Sequence, residues 1–188
     1  MRRSYLDYNA TAPLRAEARA AMIAVMDQVG NPSSVHAEGR AAKAIVEKAR
    51  GQIAMAFGAV GADIVFTSGA TEAAALACAG RGLRGADIEH DAVAAWIQPD
   101  QLVRPDGGVA LTEPEKSVLQ MANSETGIVQ SLPKGLAVTD ASQAFGKLPV
   151  AFNWLGADMA LISAHKIGGP KGIGAVVLRR GCELAAQI

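Results

Sequence analysis

Aromatic residues are scarce: Phe, Trp and Tyr together make up only 4% of the chain. A core built from this sequence must rest on aliphatic side chains and on alanine. Cysteine is almost missing. Cys78 and Cys182 form no disulfide framework and no Cys-x-x-Cys metal pair. An excess of one charge is missing too, since Lys+Arg and Asp+Glu number 18 each. That balance gives no electrostatic footprint for nucleic acid or anionic lipid. No apolar run approaches the length of a membrane span. Met1 to Asp7 carries two arginines but no apolar signal core, so a cytoplasmic location is expected. Asn9-Ala10-Thr11 matches a glycosylation sequon, which carries no meaning without export. No internal repeat appears.

What remains is a chain of 188 residues, half of them hydrophobic, long enough for one domain with a real core. Its most informative stretch is Met159 to Leu178. An apolar run, Met159–Ile162, reads as a buried strand. It stops at Ser163-Ala164-His165-Lys166, a Gly/Pro cluster follows, and a second β-rich run, Ala175–Leu178, leaves. Lys166 thus sits in a tight turn just past a strand. A solvated surface lysine needs no such setting. A lysine that loses its proton to form an imine does, because burial and fixed neighbours lower its pKa.

The rest of the chain reads in order as follows. Tyr5–Tyr8 is extended, and Asn9 to Pro13 is a turn. A helix from about Pro13 places Leu14, Ala18, Met22, Val25 and Val29 on one face and ends at Gly30. Asn31 to Ser34 is a turn and helix cap, and a second helix runs to Phe57. Asp63–Thr67 is a strand. Ser68-Gly69-Ala70-Thr71 turns into an alanine-rich helix from Glu72 to about Ala79. This turn suits a phosphate, because a helix N-terminus presents N–H groups and a positive dipole end. Standing alone, it reads first as an ordinary capped turn. Ala86–His90 reads as a short strand, Asp91 as the cap of a helix to about Ile97, and Gln98 to Gly108 as loops. Lys116–Ala122 and Leu136–Thr139 are strands, and Asn153 to Gly156 is a loop.

Strands alternating with helices or loops predict an α/β domain, a mostly parallel sheet flanked by helices. Polar residues then fall in a pattern. Thr67 to Thr71, His90, Asn123 with Ser124, Asp140 with Gln143, and Ser163 with His165 and Lys166 each follow an expected strand. In a parallel sheet such positions gather on one edge, where α/β proteins place ligands. They supply a phosphate cup, an acid, a flat ring and an amine, the inventory of a pyridoxal 5'-phosphate site. Asp140 would pair with the pyridine nitrogen, His90 would stack on the ring, Gln143 would reach the ring oxygen, and Lys166 would carry the aldehyde. Each also has a plainer reading: Asp140 as a turn cap, His90 as a surface histidine, Lys166 as a surface turn lysine. Gln143 alone says nothing. Lys171 lies past the turn and reads as solvated, and its segment is no P-loop.

Taken together, Tyr5-Leu-Asp-Tyr-Asn-Ala-Thr-Ala-Pro13, Gly30-Asn-Pro-Ser-Ser34, Val65-Phe-Thr-Ser-Gly-Ala-Thr-Glu72, Glu89-His90, Asn123-Ser-Glu-Thr-Gly127, Thr139-Asp-Ala-Ser-Gln143 and Ser163 to Gly174 resemble the amino-terminal part of the NifS/IscS-type cysteine desulfurases, within the class V aminotransferase group. The motifs cover nearly the whole chain in the family's order. The resemblance implies the large domain of fold-type I pyridoxal phosphate transferases over residues 1–188, with residues 1–13 as an amino-terminal arm. It makes Lys166 the Schiff-base lysine and His90 a ring-stacking residue that handles protons. It puts Ala70, Thr71, Ser163 and His165 at the phosphate, Asp140 at the pyridine nitrogen, and Gln143 at the ring hydroxyl. Asn123 or Ser124 would contact the ring, since the family has Asn-Asn-Glu where this chain has Asn123-Ser124-Glu125. The implied reaction converts L-cysteine to L-alanine. Sulfur is left as an enzyme persulfide for a sulfur-acceptor protein in iron–sulfur cluster or thio-cofactor synthesis. A homodimer is implied, with neither nucleic acid nor membrane as partner.

Two further departures bear on this. The connections around Gly82–Gly108 and Gln130–Leu136 are short for the family. Family members are also roughly twice as long, and the remainder carries the small domain, the loop with the nucleophilic cysteine and the arginine that takes the substrate carboxylate. A truncated chain, inactive alone, is therefore the expectation. The alternatives are a non-catalytic domain that keeps the fold, or another class V member such as a selenocysteine lyase or an aminotransferase.

Overall fold

In the computed structural model, which describes residues 3–187, the main apolar runs pair into a five-stranded sheet. Its strands are β1 (Asp63–Thr67), β6 (Val118–Gln120), β7 (Leu136–Asp140), β8 (Ala157–Ser163) and β9 (Gly174–Leu178), in the order β1-β9-β8-β7-β6. The ladders β6/β7 and β7/β8 are parallel, whereas β8/β9 and β9/β1 are antiparallel. Two successive reversals bring β1 back to the direction of β8. Four strands therefore point one way and only β9 opposes them, so the sheet is mixed in its ladders but mostly parallel in direction. The C-terminal tips of β1, β6, β7 and β8 share one edge, together with the start of β9.

The central strands are covered on both faces, as their continuous apolar runs require. On one face Met159, Leu161, Val176 and Leu178 pack with Ala73, Ala74, Ala77 and Cys78 of α3 (Ala70–Cys78). On the other, Ala160, Ile162, Ala175 and Val177 pack with Phe57, Phe145 and Phe152. The phenylalanines gather there: the Phe57 ring lies 4.7 Å from Phe145 and 5.9 Å from Phe152, centroid to centroid.

Gly174 shows what the close packing demands. A Cβ there would meet the Gly69 carbonyl carbon at 2.6 Å and the Ile162 carbonyl oxygen at 2.8 Å. Both obstacles are backbone, so Gly174→Ala is expected to cost roughly 1–3 kcal/mol, read as a lower midpoint in urea denaturation. An unchanged midpoint would show that the turn after β1 has room to move.

Several boundaries differ from the sequence reading. Helix α1 is Ala16–Val25, shorter than expected, and none of its residues is buried. Its apolar stripe is real, but Leu14, Met22, Val25 and Val29 are exposed. Helix α2 is Ala37–Ala56, capped by His36, whose Nδ1 accepts from Gly39 N. Asn31 instead closes its own turn, accepting from Ser33 N at 2.9 Å. The strand expected at Ala86–His90 does not form. Short β2 (Arg84–Gly85) pairs with β3 (Gln98–Pro99), and 86–89 is a turn leading to α4 (Asp91–Ala94). There the edge of β6 is met by side chains rather than by a ladder: Glu89 Oε1 accepts from Gln120 N. The loops expected at 98–108 contain β3 and one strand of a small antiparallel pair, β4 (Leu102–Val103) with β5 (Val109–Ala110). Phe152–Leu155 is one helical turn, α5, ended by Gly156 in the left-handed region. The strand expected at Lys116–Ala122 shrinks to β6, because Pro114–Lys116 forms a 3-10 turn and Ala122 bridges to Val129. Among the described residues, no helix is long and apolar enough to cross a membrane.

Candidate functional site

The shared strand edge encloses a cavity of about 560 Å³, a size suited to a small-molecule cofactor. Each strand tip delivers its own part. After β1 come Ser68, Gly69, Ala70 and Thr71, and after β7 come Asp140, Ser142 and Gln143. After β8 come Ser163, His165 and Lys166, while Gln120, Ala122 and Ser124 close the β6 side and His90 stands at the head of α4. Nine of the ten sequence-derived candidates therefore line one cavity: Ala70, Thr71, His90, Ser124, Asp140, Gln143, Ser163, His165 and Lys166.

Asn123 is the exception. Its side chain is committed to the turn that follows it. Oδ1 accepts from Glu125 N and Thr126 N at 2.8 Å each, and Nδ2 donates to Ile88 O at 3.1 Å. A buried amide with its oxygen and nitrogen both engaged is a poor ring contact. Of the two neighbours, Ser124 is the one that reaches the cavity.

The anion end is built from backbone. Helix α3 begins at Gly69, with no side-chain cap on its first turn. Thr67 Oγ1 donates to Gly69 O at 2.9 Å, and Glu72 Oε2 accepts from both Ser68 N and Ser68 Oγ. These bonds fix the turn while leaving the helix start to face the cavity. They also hold the Glu72 carboxyl below its usual range, first through the Ser68 hydroxyl.

The acid end is also fixed. Asp140 Oδ1 accepts from Ser142 N at 2.8 Å. Ser142 itself was not legible as a site residue; it lines the cavity with a buried hydroxyl that has no partner in the protein. His90 Nδ1 accepts from Ala92 N at 3.1 Å. A nitrogen that accepts carries no proton, so the neutral ring bears its hydrogen on Nε2.

Lys166 is half-buried, not free in solvent. Its Nζ donates to Asn9 O at 2.6 Å and to Ala10 O at 3.2 Å. Gln143 Nε2 donates to the same Asn9 oxygen at 2.9 Å, and Asn9 Nδ2 donates to Ser124 O at 3.1 Å. Next along the arm, the Thr11 hydroxyl lies 3.1 Å from His165 Nδ1, and Ala12 N donates to His165 O at 2.8 Å. The arm thus crosses the mouth of the cavity and gathers three candidates on one residue, Asn9. Periodicity carries no trace of this, because the contacts span more than a hundred residues. Lys171, read as solvated, is exposed but lies on the cavity rim. Burial, then the charges of Lys166 and Lys171, push the His165 imidazole below its ordinary value.

Neither cysteine belongs to this site. Cys78 is buried in α3, where burial pushes its thiol up to about 12. Cys182 is half-buried and its thiol is also raised, first by burial.

The donor set fits pyridoxal phosphate: an open helix start for a dianion, a carboxylate for a ring nitrogen, an unpartnered hydroxyl and a half-buried amine share one cavity. The fold is that of the fold-type I pyridoxal phosphate transferases. The aminotransferase class-V family profile matches residues 4–95 and 110–187. This chain belongs to the class V aminotransferase family. It is 34% identical to the cysteine desulfurase IscS of Dictyoglomus turgidum, in a match covering 97% of this chain and 56% of that protein. Among solved structures, a NifS-like protein from Rickettsia africae superimposes with a TM-score of 0.85 at 30% identity, over 98% of this chain and 60% of that one. SspA, solved in complex with cysteine, gives 0.87 at 29% identity, over 99% and 65%. The chain therefore spans about half the length of the curated relatives it matches.

Proposed function

We propose that this chain is the cofactor-holding portion of a cytoplasmic, homodimeric cysteine desulfurase. That enzyme would convert L-cysteine to L-alanine and pass the sulfur, through a persulfide, to an acceptor protein for iron–sulfur cluster or thio-cofactor synthesis. The observation that carries this reading is the convergence of Lys166, Asp140, His90 and the open start of α3 on one cavity.

When bound, pyridoxal phosphate supplies an aldehyde for covalent attachment and a ring that withdraws electrons. The protein does the rest. The first turn of α3, with Thr71 and Ser163, would receive the phosphate, helped by the dipole of the helix. Asp140 would hold a proton on the ring nitrogen and keep the ring electron-poor. His90 would stack on the ring, and Gln143 would hydrogen-bond the ring hydroxyl. Lys166 Nζ is the point of attachment, which it can become only after leaving the carbonyls of Asn9 and Ala10 and losing its proton.

The sulfur step needs an accessible thiolate, because the thiolate and not the thiol is the nucleophile. Burial keeps Cys78 in the thiol form, and neither Cys78 nor Cys182 lines the cavity. The acceptor thiol is therefore assigned to the portion of the enzyme corresponding to the rest of its relatives' length.

Alanine release from L-cysteine in the presence of a thiol reductant tests the reading. The 188-residue chain alone should take up pyridoxal phosphate yet release no alanine, and an enzyme of its relatives' length should release alanine and sulfide in equal amounts. Amine transfer to a keto acid without sulfide would point to an aminotransferase. Preference for selenocysteine would point to a lyase.

A further inference from the structure

Among the described residues, Glu89 is the one carboxyl that the proposed chemistry leaves unused and that the fold buries. It is only 6% exposed, on the turn just before His90. Its Oε1 accepts from Gln120 N at 2.9 Å, and its Oε2 has no partner in the protein. β6 pairs with β7 on one side only, so Gln120 N lies on the open edge of the sheet. Two more side chains fasten the same turn. Gln120 Nε2 donates to Ile88 O at 2.9 Å, and Asn123 Nδ2 donates to the same oxygen at 3.1 Å. A regular strand at 86–90 would have been held by its own ladder; this turn is held by three side-chain hydrogen bonds instead.

We propose that Glu89 is a positioning residue whose buried carboxyl pins the turn carrying His90 to the edge of β6, thereby fixing the imidazole over the cofactor cavity. The proposal rests on the reading of the cavity as a pyridoxal phosphate site. The chain geometry supports it directly. His90 follows Glu89 without an intervening residue and caps α4, a helix of four residues too short to hold itself in place. The position of the ring is therefore inherited from the turn. Burial raises the Glu89 carboxyl to about 8, so it sits there neutral at pH 7 and adds no second negative charge beside Asp140.

Two readouts on the 188-residue chain test this. In the cofactor-free chain, Glu89→Ala should speed amide hydrogen exchange at Gln120 and across Ile88–Ala92 by roughly 5- to 10-fold, the loss of about one hydrogen bond. Glu89→Gln keeps a carbonyl acceptor for Gln120 N and should exchange like the wild type. In pyridoxal phosphate titrations, Glu89→Ala should weaken affinity by roughly 3- to 10-fold, on the scale of one aromatic contact. In a His90→Ala background the same substitution should add little, because residues acting through one another are not additive. If Glu89→Ala does not fold, Asn123→Ala removes a second fastening of the same turn and takes its place in the cycle. Equal, additive losses in both backgrounds would overturn the positioning role, as would unchanged affinity. A wild-type chain that takes up no pyridoxal phosphate would instead overturn the cofactor reading itself, and the exchange data would then describe a structural clasp only.

Discussion

Lys166→Ala is expected to abolish the imine absorbance that pyridoxal phosphate develops with this chain, while leaving measurable non-covalent binding. The amine is the only part of the inventory that makes a covalent bond. The phosphate cup at α3 and the Asp140 carboxylate lie on other strand tips and do not depend on residue 166 for their placement. The substitution should also loosen the arm at Ala10, whose carbonyl loses its lysine donor, while Gln143, Ser124 and His165 still hold Asn9, Thr11 and Ala12. Asp140→Ala should behave in the opposite way. Covalent attachment survives, but affinity drops roughly 10- to 100-fold with the loss of one charge-assisted hydrogen bond. Full imine absorbance in Lys166→Ala would remove the lysine from its assigned role.

The second large effect concerns stability rather than binding. Burial, opposed by the hydrogen bond from Gln120 and reinforced by the nearby charge of Asp140, raises the Glu89 carboxyl from its ordinary 4.5 to about 8. The unfolded chain releases this proton near pH 4.5, while the folded chain keeps it to about pH 8. Between those values the folded state binds one proton more, so stability falls as pH rises and levels off above the folded value. The group alone is worth on the order of 3–4 kcal/mol across that window. Glu89→Gln carries no titrating proton and should flatten this part of the profile. Urea denaturation at pH 5 and pH 8 reads it: the variant should gain on the wild type as pH rises. Parallel profiles would mean that water reaches Glu89 and it ionises normally.

Much of this fold was legible because its signals are local. β1, β7 and β8 are short apolar runs stopped by Ser or Asp, β9 is one bounded by Gly174 and Arg179, and the expected ends of all four lie within a residue or two of the observed ones. The site was legible for the same reason: a polar residue directly after a buried strand has few places to go except the edge of the sheet. What escaped depends on distant partners. Nothing within residues 86–90 reveals that Glu89 commits its carboxyl to Gln120, in a turn where a short strand is expected. His36 caps α2 because of where its ring falls against Gly39, although Asn31 and Ser34 are better cap residues by type. Asn9 looks like part of a turn, and its hold on Lys166 and Gln143 exists only once the arm lies across the cavity. Asn123 and Ser124 were indistinguishable by type. The turn bonds at Glu125 and Thr126 decide between them.

Peptide mapping after borohydride reduction tests the central claim most directly. Three lysines stand near the mouth of the site: Lys166 on the wall, Lys171 on the rim, and Lys147 beside Gln143. Pyridoxal phosphate reduced onto the protein should appear on Lys166 alone. A label on Lys171 or Lys147, or spread over all three, would mean that the strand tips do not converge on a single cofactor held through residue 166.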